Sequence, residues 1–298
     1  KKERELARIV EYCQLKDEAL ERRRQNVLDD EAFRLTTRLL SWNPDFYTMW
    51  NYRRLILQHR FRESGELRFV EEAVQKQPKS YWIWNHRGWT LETMPQPDWK
   101  RELKLVSMML NLDSRNFHGW QYRYTVISKL RAQNPDHEAQ LVRDEFAYTK
   151  QKIAQSFSNG SAWHYRAKLL PKVFAEMAPA DRAAMINDEF DMVRSAFYTD
   201  PDDQSAWIYY RWWLTYLAEH PQESASDDAY TQLLRREADV IRELLDLEPD
   251  AKCKYPCKRA LLCQAATDVE KEEMRTLLEQ LQRVDPMREQ RYVDLAKA

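Results

Sequence analysis

The sequence predicts an all-α fold, a right-handed α-α superhelix of six or seven helical hairpins, and three observations support this. A motif in which a Trp precedes an Arg recurs five times, at steps of 34, 36, 43 and 44 residues. A period in this range is typical of a helical solenoid. Only four glycines occur in 298 residues, which argues against sheets with tight glycine turns. Apolar residues also recur at spacings of three, four and seven, which places them on one face of a helix.

The N-terminal residues 1–26 are predicted to form one charged helix with an apolar stripe that includes Leu6, Ile9, Val10 and Cys13. Helix pairs follow it. The same periodicity marks the first helix of each pair, with apolar groups at Leu35, Leu39 and Leu40; Leu67, Val70 and Val74; Leu103, Val106 and Leu110; Phe146 and Ile153; and Ile186, Phe190, Val193 and Phe197.

The second helix of each pair is predicted to begin at the Trp motif. Residues suited to capping a helix N-terminus stand close before it, at Asn43, Ser80, Ser114, Asn159 and Asp203. Breaks fall at Pro44, Pro78 and Pro201. We therefore expect a single domain over residues 1–298, with five Trp-motif hairpins in 29–220 and divergent hairpins in 226–298.

The repeated Trp and Arg residues are predicted to pack between hairpins. Three residues apart, they share a helix face, so the Trp can wedge between hairpins. The Arg can stack on the Trp or bond to carbonyls and carboxylates that end the previous hairpin. A catalytic residue is needed once, whereas a packing residue is needed in every repeat. These residues are Trp50, Arg53, Trp84, Arg87, Trp120, Arg123, Trp163, Arg166, Trp207 and Arg211.

Composition excludes several classes of function. The 47 basic and 48 acidic residues nearly balance, so no global field favours nucleic acid. No apolar run approaches the ~18–20 residues of a membrane span. Four cysteines without a signal peptide favour a reduced, cytoplasmic protein. Cys253, Cys257 and Cys263 lack the spacing of a zinc site. We expect no metal, no cofactor and no complete active site in this chain.

Five ordered motifs carry a family resemblance. They include Asn43-Pro44-Asp45-Phe46, Trp50-Asn51-Tyr52-Arg53-Arg54, Arg115-Asn116-Phe117-His118, Trp163-His164-Tyr165-Arg166 and Asp203-Gln204-Ser205-Ala206-Trp207. In these motifs, over residues 1 to about 270, the chain resembles the α subunits of protein prenyltransferases, and most of all the Rab geranylgeranyltransferase (type II) branch. The segment from Trp212 to Tyr230 is too short for the immunoglobulin-like insertion of animal members, so the resemblance implies the compact form found in fungi.

The resemblance implies a heterodimer in which a β subunit holds zinc and most of the lipid pocket. The implied reaction transfers geranylgeranyl from its diphosphate to C-terminal cysteines of Rab GTPases, which an escort protein presents. It further implies that Lys79 contacts the diphosphate, where a cation at a helix N-terminus stabilises the developing negative charge. Tyr81 lines the same opening. Asn116, Phe117 and His118 form the corresponding turn of the next motif and are predicted to bind substrate.

Two alternatives remain open. The first is the α subunit shared by farnesyltransferase and geranylgeranyltransferase type I. In that branch a Gln two residues before the second motif's Trp helps to hold the substrate carboxylate, and Trp82 at that position cannot do so. The second is a tetratricopeptide-like scaffold without enzymatic activity, which would keep a rigid 34-residue step, whereas the step here drifts to 44.

Overall fold

The computed structural model describes residues 2–60, 65–220, 227–247, 275–276, 278–283 and 285–297. Every regular element in these ranges is a helix, and none of these residues lies in a strand. The prediction of an all-α fold is therefore confirmed. The cysteines at 253, 257 and 263 and most of the predicted sixth hairpin lie outside the described residues.

Up to residue 247, the described residues form twelve α-helices: α1 (Lys2–Arg24), α2 (Asp30–Trp42), α3 (Tyr47–Arg60), α4 (Glu66–Lys76), α5 (Tyr81–Thr93), α6 (Trp99–Leu112), α7 (Phe117–Gln133), α8 (Glu138–Gln155), α9 (Gly160–Ala175), α10 (Pro179–Thr199), α11 (Gln204–Glu219) and α12 (Asp227–Leu247). A last helix spans Glu289–Lys297.

Two compact units divide the chain, Lys1–Pro135 and Asp136–Ala298. The first contains α1 and the hairpins α2–α3, α4–α5 and α6–α7. The second contains the hairpins α8–α9 and α10–α11, followed by α12. The single domain over residues 1–298 stays a prediction.

Polar caps start three of the second helices. Asn116, Asn159 and Asp203 accept backbone N–H bonds from the first turns of α7, α9 and α11. The capping prediction is wrong for Ser114, because Asn116 takes that role two residues later. Ser80 stands at the N-cap of α5, but its hydroxyl donates to Asp45 Oδ1 at 2.6 Å rather than serving its own helix.

Each motif Trp is buried and closes the turn that precedes its helix. The indole Nε1 donates to the backbone carbonyl six residues earlier in all five copies. The pairs are Trp50 with Pro44 (2.7 Å), Trp84 with Pro78 (2.7 Å), Trp120 with Ser114 (2.9 Å), Trp163 with Phe157 (2.7 Å) and Trp207 with Pro201 (2.9 Å). A buried indole N–H is costly if left unpaired, so this bond fixes both the ring and the turn.

Three of the buried motif arginines pair with a carboxylate of the following hairpin, not of the previous one as we predicted. The guanidinium of Arg87 donates to both oxygens of Glu102, at 2.6 and 2.8 Å. Arg53 and Arg166 make the same two-pronged contact with Glu66 and Glu189. The guanidinium of Arg53 lies over the ring of Phe33 and that of Arg166 over the ring of Phe146, so neither lies over its motif Trp.

A third group completes each of these pairs from twenty residues downstream. His86 Nε2 bonds to Glu66 at 2.8 Å, while the hydroxyls of Tyr122 and Tyr209 donate to Glu102 at 2.9 Å and to Glu189 at 2.7 Å. Buried charges are tolerated when paired and fully hydrogen-bonded. We call these three clusters of arginine, glutamate and His or Tyr the seam.

The fifth repeat departs from this pattern and corrects one prediction. Arg211, which we predicted to pack, is exposed and stands four residues after Trp207 rather than three. Tyr210 is buried instead. The buried Glu237 of α12 pairs with Arg194 of α10, and burial raises the pKa of this glutamate.

Candidate functional site

The predicted site residues lie on two neighbouring turns of the first unit, which lead into α5 and α7. Lys79 is 81% exposed at the side chain, two residues before the start of α5, and its Nζ lies 3.9 Å from the carboxylate of Asp113. Tyr81, the first residue of α5, is also exposed. The ring centroids of Tyr81 and His118 are 6.1 Å apart. An ammonium, a phenol and an imidazole thus share one surface.

The turn that carries Lys79 is held in place by the next repeat. Asn116 Nδ2 donates to the Pro78 carbonyl at 2.9 Å. One peptide oxygen of the turn is therefore fixed from α7. Asn116 itself is buried, and its Oδ1 caps α7. This corrects the prediction that Asn116 binds substrate directly, because its side chain positions the turns.

Partial burial lowers the pKa of His118, and the nearby Lys79 backbone and Asp45 charge oppose that shift only in part. The imidazole is therefore neutral at neutral pH. Phe117, by contrast, is 67% exposed, and its ring centroid lies 4.0 Å from that of His118. The turn presents a flat apolar surface next to a neutral hydrogen-bonding ring.

Two aromatic residues extend this surface toward α3. Tyr47 is exposed, and its ring centroid lies 4.3 Å from that of Trp82. Trp82 in turn lies edge-on to Tyr81, with centroids 4.9 Å apart. Trp82 is thus occupied by packing between its neighbours.

Sequence reasoning did not identify a groove that opens beside these turns. It has a volume of about 380 Å³ and is lined by Arg54, Tyr81, Trp84, Asn85, Gly88, Trp89, Glu92, His118, Gln121, Tyr122 and Thr125. Two of the predicted residues, Tyr81 and His118, are among these. The nearest sequence signal was the second arginine of the first motif, Arg54, which directly follows the packing residue Arg53.

Sequence reasoning also missed the three seam glutamates, Glu66, Glu102 and Glu189. Glu66 and Glu102 lie in the first turn of their helices and Glu189 lies at the middle of α10, where a glutamate would normally face solvent. The available signal was the position of each glutamate, 13, 15 or 23 residues after a motif arginine.

The described ranges contain no group of three or more His, Cys, Asp or Glu side chains arranged to hold a metal ion. None of the helices in these ranges has an apolar stretch of a length that could cross a membrane.

Comparison with known proteins identifies the repeat. The family described as "Protein prenyltransferase alpha subunit repeat" matches five segments, residues 29–60, 64–94, 99–130, 142–173 and 186–217. These segments coincide with the five hairpins from α2–α3 to α10–α11. The match favours prenyltransferase repeats over the tetratricopeptide alternative as the source of the period.

Relatives along the whole chain share one name. The geranylgeranyl transferase type-2 subunit alpha of Dictyostelium discoideum is 37% identical over 98% of this chain and 93% of its own length. That of Candida albicans is 32% identical over 99% of this chain and 92% of its own length. The human subunit is 39% identical over 65% of this chain, which spans only 35% of the human length.

A solved structure shares the fold. In "Candida albicans protein geranylgeranyltransferase-I complexed with GGPP", one chain aligns with a TM-score of 0.69 at 23% identity, over 96% of this chain and 90% of that chain. At this identity the likeness shows the fold alone. Five matched repeats and full-length relatives together show that the chain belongs to the protein prenyltransferase α-subunit family, among the geranylgeranyl transferase type-2 α subunits.

Proposed function

We propose that this chain is the α subunit of a heterodimeric Rab geranylgeranyltransferase and that it supplies Lys79 to the diphosphate site. The observation that supports this most is the turn at Lys79, where an exposed ammonium directly follows the Pro78 carbonyl that Asn116 holds. A cation held this way needs little reorganisation when charge develops beside it.

The reaction forms a bond between a cysteine sulfur of the Rab C-terminus and C1 of the geranylgeranyl group. It breaks the bond from C1 to the diphosphate oxygen and releases diphosphate and the thiol proton. Negative charge on the leaving group grows as that bond breaks, so Lys79 stabilises the transition state more than the ground state. Tyr81 offers its hydroxyl at the same surface, and Phe117 offers an apolar face to the lipid.

His118 and Asn116 have different parts in this proposal. His118, neutral at neutral pH, stands beside Tyr81 and offers a ring nitrogen at the same surface. Asn116 acts through the backbone, as a positioning residue. Zinc belongs to the β subunit, as the family resemblance implies, and the described part of this chain offers no site for it.

Rab GTPases, the escort protein that presents them and the cytoplasmic location complete the proposal. The experiment is to express this chain with a type-2 β subunit, purify the complex and measure geranylgeranyl transfer. Rab with escort protein is compared with a peptide that ends in a CaaX sequence. We expect transfer to Rab only. Transfer to the CaaX peptide without transfer to Rab would assign the chain to the type-1 branch.

A further inference from the structure

Arg54 differs from every seam arginine in its surroundings. Its Nη2 donates to Asn85 Oδ1 at 2.7 Å and its Nε contacts His86 Nδ1 at 3.3 Å, while its guanidinium lies over Trp89 at 5.2 Å from the ring centroid. All three partners are uncharged. No carboxylate within the described ranges pairs with it, although the side chain is half-buried.

The charge of Arg54 is therefore not neutralised by the chain that carries it. Burial lowers the pKa of Arg54. For Arg87 and Arg166 burial acts in the same direction, but the bound Glu102 and Glu189 outweigh it and raise the pKa. Glu92, which also lines the groove, already pairs with Lys129 at 2.6 Å. The groove thus keeps one uncompensated positive charge at a partly dehydrated position, which favours a carboxylate from outside.

Gly88 of α5 lines the same groove and leaves open the space that a side chain would fill. A Cβ built on Gly88 would meet only the Tyr122 ring, at 3.9 Å, which is ordinary contact. The chain's own packing therefore does not require glycine here, although glycine inside a helix is unfavourable relative to alanine. At Gly119 the reverse holds, since a Cβ would lie 3.1 Å from Leu110. The missing side chain at Gly88 leaves room for an approach from outside.

We infer that the groove between α5 and α7 receives an acidic side chain of the β subunit, whose carboxylate pairs with Arg54 while its backbone passes close over Gly88. Charge complementarity selects this occupant. The Asn85 and His86 bonds hold the guanidinium in one orientation, and the planar fork suits a two-pronged carboxylate contact. The inference rests on the proposed function, because it takes the β subunit as the partner.

The test is a competition for a limiting amount of type-2 β subunit between differently tagged wild-type and variant chains expressed together. The captured ratio, divided by the ratio of soluble chains, gives the relative affinity. Arg54→Gln should lower capture about thirtyfold or more, as expected for one partner of a desolvated charge pair. Arg54→Lys should fall between Gln and wild type, because it keeps the charge but not the fork.

Gly88→Ala keeps the inference testable if Arg54 variants fold poorly. Alanine fits the chain and favours the helix, so this variant should fold as well as wild type yet be captured about tenfold less. The control is Arg34→Gln, which changes an exposed arginine paired with Glu31 on α2 and should be captured like wild type.

Three outcomes overturn the inference. If the β subunit captures Arg54→Gln and Gly88→Ala as well as it captures the wild-type chain, the docking site is wrong but the proposed function stands. Normal capture of Arg54→Gln with a KM for geranylgeranyl diphosphate raised tenfold or more assigns the guanidinium to the diphosphate instead. A wild-type chain that captures no β subunit overturns the proposed function and this inference with it.

Discussion

Arg53 and Arg54 are adjacent on α3, yet in the described part of the chain the first pairs with a carboxylate and the second does not. Arg53 is buried in the seam and held by both oxygens of Glu66. Arg54, rotated by ~100° around the helix, faces the groove and meets only uncharged groups. In the seam every charge has its opposite, which holds hairpins together. On the groove face Arg54 meets no carboxylate of the described residues, and on the adjoining turn Lys79 has only the 3.9 Å contact with Asp113.

The largest effect should follow from breaking a seam cluster. Glu102→Ala leaves Arg87 buried without its carboxylate and Tyr122 without its acceptor. Removing one member of a buried ion pair costs about 3–5 kcal/mol. We expect a loss of that size in the free energy of unfolding, measured by urea titration with circular dichroism.

Glu72→Ala is the matched control, because Glu72 pairs with Arg68 at an exposed position of α4. It should leave the unfolding midpoint unchanged, as exposed pairs contribute little. Equal losses from the two variants would contradict a special role for the seam.

The seam also predicts a dependence on pH through its only histidine. Burial lowers the pKa of His86 from 6.5 to about 4, and the bond to Glu66 opposes this only in part. The unfolded chain therefore takes up the proton first. The stabilisation is complete above pH 6.5 and is lost as the pH falls toward 4, by at most about 3 kcal/mol.

His86→Gln should flatten this decline, because the amide can donate to Glu66 and accept from Arg54 without titrating. Unfolding is measured at steps from pH 7.5 to 4. A wild-type chain whose stability stays level from pH 6.5 to 4.5 would show that His86 is not the neutral, buried group described. The seam cluster that contains Tyr122 has no histidine. Tyr122→Phe should therefore lower the free energy of unfolding without changing how that free energy depends on pH.

A smaller effect on stability is expected at Asn116, on the turn that leads into α7. Asn116→Ala removes the cap of α7 and the bond to the Pro78 carbonyl. The lost cap costs about 1 kcal/mol. We expect Asn116→Ala also to slow geranylgeranyl transfer by the complex. Asn116→Asp keeps the acceptor but not the donor, so it should regain the stability of wild type while transfer stays as slow as in Asn116→Ala. Full recovery of both by Asn116→Asp would mean that the Pro78 bond does not position Lys79.

The smallest effect should come from the fifth repeat. Arg211→Ala removes an exposed side chain, so the free energy of unfolding should change by no more than about 0.5 kcal/mol. Arg166→Ala, which leaves Glu189 buried without its partner, should cost several times more. Similar losses would restore Arg211 to the packing role that its motif suggested.

The helical hairpins could be predicted from the sequence, because they depend on periodicity. The hairpins follow from apolar spacing in the first helices and from the repeated Trp in the second helices, because each marks the buried face of its own helix. The sequence did not predict where the motif arginines bond, since Glu66, Glu102 and Glu189 lie at variable distances along the chain. Arg211 was mistaken for its relatives because a motif match does not register a shift of one residue around a helix.

Only part of the candidate site could be predicted from the sequence, and the roles of its residues stay a prediction. Lys79, Tyr81, Phe117 and His118 follow from the resemblance, and the structure places them on two neighbouring turns. The groove with Arg54 and Gly88 was not predictable, because it arises from the distance between α5 and α7. An unpaired charge or an unneeded glycine is visible only once the neighbours are known.

The most direct test of the contrast between seam and site is Lys79→Ala in the complex with the β subunit. Because the side chain is exposed and its only described ion pair is the 3.9 Å contact with Asp113, assembly and thermal stability should equal those of wild type. Single-turnover transfer to Rab should slow by about 10²–10³, as for other lost stabilisers of developing charge. Lys79→Arg should recover part of the rate. Unchanged turnover in Lys79→Ala, with the complex intact, would contradict the account.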